Sequence, residues 1–175
     1  GYENEYCLVD TDCEPPHQIN QNALRTALEV AMLLKLEIPN ELIVMRKVIS
    51  NGSVISGFQR SLLLGLGNKE FFIETSQGKV RIKDIYLEED AAKIVKKEEG
   101  KIYFSLSRLG IPLIEIGTHP DIKTPEQAKE TATYIGMVLR SVPGIRRGIG
   151  TIRQDINMSI LGGNRVELKG FQDLR

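Results

Sequence analysis

The sequence has 175 residues, 41% hydrophobic and 26% charged, enough to bury one core in a single domain of ordinary globular composition. Lys plus Arg and Asp plus Glu balance at 23 each, so no overall positive field draws a polyanion, and composition alone does not point to nucleic acid. No apolar run approaches the roughly 18 residues of a membrane span and no signal peptide opens the chain, which predicts a soluble cytoplasmic protein; Cys7 and Cys13 lack a second pair for a zinc site and read as reduced thiols or structural residues.

Apolar residues at Leu24, Ala27, Leu28, Ala31 and Leu34 predict a helix between Asn20, its N-cap, and Leu36. After Pro39, the run Leu42 to Ile49 predicts a strand closed by a tight turn at Asn51-Gly52. The pieces Phe71-Phe72-Ile73 and Val80-Arg81-Ile82 flank Gln77-Gly78 as a hairpin whose second arm leads to Glu88-Glu89-Asp90. Ile102 to Leu106 and Pro112 to Ile116 predict two more strands. A second helix starts at Thr124, with Pro125 at its first position and Gln127 closing a capping box; Ala128, Ala132, Ile135 and Leu139 are its expected buried stripe, and Pro143-Gly144 its end. From Ile152 to Ile160 polar and apolar residues alternate, Gly162-Gly163 turns, and the return arm alternates again. One face of this last hairpin is apolar apart from Gln154; the other presents Arg153, Asp155, Asn157, Ser159, Arg165, Glu167 and Lys169. The pattern predicts an α+β domain on a mainly antiparallel sheet.

Three features could carry chemistry. Adjacent carboxylates at Glu88, Glu89 and Asp90 repel one another unless something compensates. Magnesium is one compensator; the dipole of a helix beginning at Ala91-Ala92-Lys93-Ile94 is another. Glu115 interrupts an apolar strand, so either it is paired or metal-bound, or that sheet face is exposed. The alternating ladder of the last hairpin is either a solvent-facing surface or the floor of a cleft in which Arg153 and Lys169 stabilise a transferring phosphoryl group. Ser56-Gly57-Phe58-Gln59-Arg60-Ser61 lets backbone approach a phosphate but matches no P-loop or dinucleotide fingerprint. His17 and His119, each beside a proline, read as surface or hydrogen-bonded residues.

Several strings occur together: Val44-Met45-Arg46-Lys47, Ser56-Gly57-Phe58-Gln59-Arg60, Leu87-Glu88-Glu89-Asp90-Ala91-Ala92-Lys93, and Ser107-Arg108-Leu109-Gly110-Ile111-Pro112-Leu113-Ile114-Glu115-Ile116. Further on come Pro120-Asp121-Ile122, Gly150-Thr151-Ile152-Arg153-Gln154-Asp155-Ile156-Asn157-Met158-Ser159 and Arg165 to Leu174. In this order they resemble the B/E subunit family of glutamyl-tRNA(Gln) amidotransferases, and Glu14-Pro15-Pro16-His17 together with Ser56-Gly57-Phe58-Gln59-Arg60 and Lys169 to Leu174 resembles its archaeal-type E branch. The resemblance implies a cradle-shaped catalytic domain similar in fold to glutamine synthetase and guanido kinases. It implies ATP-dependent phosphorylation of glutamate carried on tRNA(Gln), then amidation with ammonia from a partner amidase, the asparaginase-like D subunit. Magnesium falls to Glu89, Glu88 and Glu115, nucleotide binding to Arg46, Lys47, Gln59, Arg60 and Arg108, and the cleft to Arg153, Asp155, Asn157, Glu167 and Lys169.

The family's opening Gly-Leu-Glu-x-His segment, which contributes to the metal site, does not occur, nor do its tRNA-gripping regions. With Gly as first residue and no terminal helix or polar tail, the chain is expected to be a fragment of a longer one, inactive by itself. Two alternatives stay open: a kinase of the same fold acting on a free carboxylate or guanidino compound, and a non-catalytic scaffold.

Overall fold

The structure, a computed structural model, describes residues 7–171. Among these, the elements in chain order are α1 (Gln21–Leu33), β1 (Val44–Val48), β2 (Phe58–Leu66), β3 (Ile73–Thr75), β4 (Gly78–Val80), β5 (Ile82–Glu89), β6 (Lys93–Glu98), β7 (Lys101–Ser105), β8 (Pro112–Thr118), α2 (Pro125–Ser141), β9 (Gln154–Met158) and β10 (Val166–Phe171). This is the expected α+β composition. A four-stranded sheet in the order β1-β2-β5-β8 is antiparallel throughout, and β3-β4, β6-β7 and β9-β10 form separate two-stranded hairpins.

Pairing of Leu62 with Leu87 and of Leu87 with Ile114 builds an apolar row across one face of the large sheet. Ile85 and Ile116 extend it, and α1 lays the fully buried Ala27, Val30 and Ala31 against it. Small residues on that helix stripe let its backbone approach the strands, while Leu34 and Leu64 fill the space beside it. Asn20 caps α1 as expected, its side chain accepting the Ala23 N–H at 3.0 Å.

The capping box of α2 forms with one difference. Thr124 Oγ1 accepts the Gln127 N–H at 3.2 Å, but Gln127 Oε1 reaches past Thr124 to the Lys123 N–H at 2.8 Å. The buried stripe also departs from expectation. Gln127, Thr131, Gly136 and Leu139 are buried, whereas Ala128, Ala132 and Ile135 are only half-buried. Burial of the two polar residues is tolerated because each is satisfied: Gln127 Nε2 donates to Thr75 Oγ1 on β3, and Thr131 Oγ1 donates to the Gln127 carbonyl.

Two further expectations are corrected. Asn51-Gly52 does not close a tight turn; residues 49–57 form a longer loop, because Asn51 Oδ1 holds Ser53 and the Ser53 carbonyl accepts the Ala92 N–H. No helix follows the acidic cluster either. Ala92 spends its N–H on that loop, and Lys93–Glu98 is a strand paired with Lys101–Ser105, so long-range pairing overrides the helical propensity of Ala91-Ala92.

Candidate functional site at the polar face and end of strand five

Strand alternation sorts the acidic cluster. Glu88, Tyr86 and Asp84 of β5 share the sheet face opposite the helices, and Glu89 shares the helix-covered face with Leu87 and Ile85. The cross-strand register then decides what each carboxylate meets. Glu115 lies opposite Tyr86 and diagonal to Glu88, so these two carboxylates fall together on the polar face. Lys47, Gln59 and Ser61 reach the same face from β1 and β2.

Glu88 is 5% exposed, and its neighbours account for that burial. Ser61 Oγ donates to its Oε1 at 2.6 Å, Gln59 Nε2 to its Oε2 at 3.3 Å, and Lys47 Nζ lies 3.7 Å away. Gln59 Nε2 also donates to the Glu89 carbonyl at 2.7 Å, which fixes the amide beneath the strand. Much of Glu115 is open to solvent, but its carboxyl end is crowded by the groups around Glu88. Partial removal from water raises its pKa most, Glu88's charge and a hydrogen bond with Glu88 raise it further, and Lys47 opposes them. Gly117 lies opposite Asp84, and a Cβ there would stand 2.3 Å from Asp84 Oδ1, so glycine is required for that buried carboxylate to fit.

Glu89 is not brought to this pair. On the other face, Arg60 Nε donates to its Oε1 at 2.8 Å and Arg60 Nη2 binds the same oxygen. Arg60 also donates to the His17 carbonyl, tying down the segment ahead of α1. Arg46 stacks over the Phe58 ring at 4.6 Å on that face too. The expected nucleotide-binding set is therefore divided: Lys47 and Gln59 stand on the polar face, Arg46 and Arg60 behind it. A shallow surface hollow opens at this end of the sheet, lined among others by Ser56, Phe58, Gln59, Glu89, Asp90 and Gly110.

Asp90 continues the ladder one bond past β5, its N–H donating to the Ile111 carbonyl at 2.8 Å, so its side chain returns to the polar face. There it receives Arg153 Nη2 at 2.8 Å and Arg108 Nε at 3.2 Å. All three members of the acidic run thus have cationic side-chain partners: Lys47 beside Glu88, Arg60 on Glu89, and Arg108 with Arg153 on Asp90.

The β9–β10 hairpin follows the same strand. Arg153 at its base grips Asp90, and Arg165 near its tip stands close enough to Lys83 for its charge to be felt there. Its expected division of faces is present, with Ile156 paired to Leu168 and Asn157 to Glu167. It is not part of the large sheet, however, and Met158, Val166 and Leu168 on its apolar side are exposed. On the polar side Lys169 bridges Glu167 at 3.2 Å and Asp155 at 3.4 Å, and these carboxylates, Glu167 foremost, raise its pKa. Residues 172–174 of the motif that begins at Arg165 lie outside the described residues.

A family model described as the GatB/GatE catalytic domain matches residues 3–175. The chain belongs to the GatB/GatE catalytic domain family. The E subunit of the glutamyl-tRNA(Gln) amidotransferase of Methanocaldococcus jannaschii is 50% identical over 173 residues, 99% of this chain and 27% of that protein. The Haloarcula marismortui E subunit is 50% identical over 168 residues, 96% of this chain and 26% of its own length. Its counterpart in Archaeoglobus fulgidus is 48% identical over 173 residues. The chain spans about a quarter of the length of these relatives.

For a GatB/GatE domain, the donor set on the polar face fits magnesium. No three His, Cys, Asp or Glu side chains converge as a metal cluster among the described residues, but magnesium needs only one or two carboxylates, with water and phosphate oxygens completing its shell. Glu88 and Glu115, neighbours on that face, are the two carboxylates that would hold it. Sequence reasoning gave no role to Ser61 or Asp84 and saw Asp90 only as one of three adjacent acids. Counting back by twos from Glu88 reaches Asp84 and counting forward reaches Asp90, whereas Ser61 is visible only from the register.

Proposed function

We propose that this domain is the activating part of an archaeal-type glutamyl-tRNA(Gln) amidotransferase, using ATP to phosphorylate the γ-carboxylate of tRNA-borne glutamate before ammonia displaces the phosphate. The observation that carries the reading is the meeting of Glu88 and Glu115 beside Lys47 on one polar sheet face, within a chain half identical to E subunits of that enzyme. A carboxylate resists attack by ammonia because oxide would have to leave; phosphorylation makes phosphate the leaving group, and catalysis then rests on positioning and charge stabilisation.

Glu88 and Glu115 are the residues to hold magnesium. When bound, the ion screens nucleotide phosphate charge and orients the γ-phosphoryl group. Lys47 places an ammonium at the same face, and Ser61 and Gln59 each donate to one oxygen of Glu88 and so fix its carboxylate. Arg108 and Arg153 stand at the end of β5, where a phosphoryl group extending from the carboxylate pair would meet their guanidinium groups. The cleft roles of Asp155, Asn157, Glu167 and Lys169, the cradle likeness to glutamine synthetase and guanido kinases, and partnership with an ammonia-producing, asparaginase-like D subunit belong to the same proposal.

The test uses full-length protein with its amidase partner, glutamyl-tRNA(Gln), ATP-magnesium and an amide donor. Glutaminyl-tRNA should form, and Glu115→Gln and Glu88→Gln should each reduce its formation at least 100-fold. Turnover of free glutamate without any requirement for charged tRNA would overturn the substrate assignment.

A further inference from the structure

We infer that Asp90 is a positioning residue that clasps Arg108 and Arg153 into one phosphate-binding fork; the inference rests on the reading of the polar face as a phosphoryl-transfer site. The two arginines come from elements that share no strand pairing. Arg108 lies in the turn between β7 and β8, and Arg153 immediately precedes β9. Asp90 draws them together, at 3.2 Å and 2.8 Å.

The donor count points to a ligand. Arg108 Nε is used by Asp90 and by the Ala91 carbonyl at 3.1 Å, and Arg153 contributes only Nη2. Among the described residues, no protein acceptor takes the terminal nitrogens of Arg108 or the Nε and Nη1 of Arg153. Both side chains keep 35% of their surface exposed, so these donors face solvent from fixed positions. One carboxylate between two guanidinium groups leaves one net positive charge, the sign an anion requires. Planar forks held this way favour phosphate oxygens over a point charge.

Position along the strand gives the fork its partner. Asp90 is two residues beyond Glu88 on the same side of β5, about 7 Å at strand rise. A di- or triphosphate is long enough to reach a cation held by the Glu88–Glu115 pair with one group and the fork with the next. Asp90 itself is buried and backed by the ladder, with its Oδ1 accepting the Ala91 N–H at 2.9 Å, so it has little freedom to bind ligand directly.

The decisive property is the sign of one substitution. If Asp90 acted only through its negative charge, Asp90→Asn would tighten binding of a polyanion. If it positions the fork, the same change weakens binding because the two guanidinium groups separate. Inorganic pyrophosphate is titrated calorimetrically into full-length protein with its amidase partner, in EDTA so that no divalent ion contributes. Arg108→Gln, Arg153→Gln and Asp90→Asn should each weaken pyrophosphate at least 10-fold, with Asp90→Glu recovering part of the loss. Tighter binding by Asp90→Asn overturns the clasp.

Should Asp90→Asn fail to fold, Arg153→Lys keeps the charge and removes the fork; unchanged affinity there overturns the inference equally. Pyrophosphate binding that depends on both arginines, in a wild-type complex that forms no glutaminyl-tRNA, supports the clasp and refutes the amidotransferase reading. Normal glutaminyl-tRNA formation with equal pyrophosphate affinity in wild type and Arg153→Gln overturns the clasp alone.

Discussion

Replacing Glu115 with Gln should stabilise the domain at neutral pH and leave it unchanged in acid. Glu88 and Glu115 are diagonal neighbours whose carboxyl groups come within hydrogen-bond reach, and two unit charges about 4 Å apart repel by about 1 to 4 kcal/mol for effective dielectrics of about 80 to 20. Glu115 has water on one side and Lys47 attracts both carboxylates, so the lower part of that range, about 1 kcal/mol, is the expected gain. The sign follows from the direction of the shift. The folded state holds the Glu115 proton more tightly than the unfolded chain does, so wild-type stability falls as pH rises from 4.5 through the raised pKa. Below 4.5 the group is protonated in both states and the variant gains nothing.

Urea unfolding of wild type and Glu115→Gln at pH 7 and pH 4 reads this difference directly. Magnesium supplies a third arm, because at ten times its Kd it should stabilise wild type by about 1.4 kcal/mol and the variant far less. A variant less stable than wild type at pH 7, or a difference independent of pH, would refute the argument that these carboxylates repel across the sheet face.

Asp121, whose pKa is lowered to about 2 mainly by its hydrogen bond to Arg81, should stabilise the domain above pH 3.8 and lose that contribution as pH falls toward 2. Because Arg81 is half-exposed, Asp121→Asn should cost about 1 kcal/mol at pH 7 and almost nothing at pH 2, measured by urea midpoints at the two pH values. Thr124→Ala removes the N-cap of α2 and should cost about 1 kcal/mol, read as a lowered thermal midpoint, with Thr124→Ser restoring most of it. Leu64→Ala opens a void under α1 and should cost about 2 to 5 kcal/mol by urea unfolding. Magnesium affinity of the folded fraction should not change in that variant.

Local signals were the legible part of the fold. Asn20 and Thr124 announce helix starts through their own side chains, and Gly162-Gly163 marks a turn, so these elements stand where the sequence predicts them. Register was not legible. Whether Glu88 or Glu89 shares a face with Glu115 depends on Tyr86 lying opposite Glu115, a pairing between residues far apart in the chain that no local pattern encodes. The same blindness hid which of Lys47 and Arg46, neighbours on a strand whose alternation sends them to opposite faces, meets Glu88. It also hid β6, whose Ala-rich approach reads as a helix until β7 is seen to pair with it. Asp90 was visible as one of three acids, but its grip on two distant arginines was not.

The bare apolar side of the last hairpin matters to anyone handling this domain by itself. Met158 and Val166, at 58% and 57% exposure, and Ile160 beside them form a greasy ledge on a thin ribbon that pairs with no other strand among the described residues. Concentrated samples should therefore self-associate through this ledge and precipitate on warming, and a Val166→Lys change should keep them in solution.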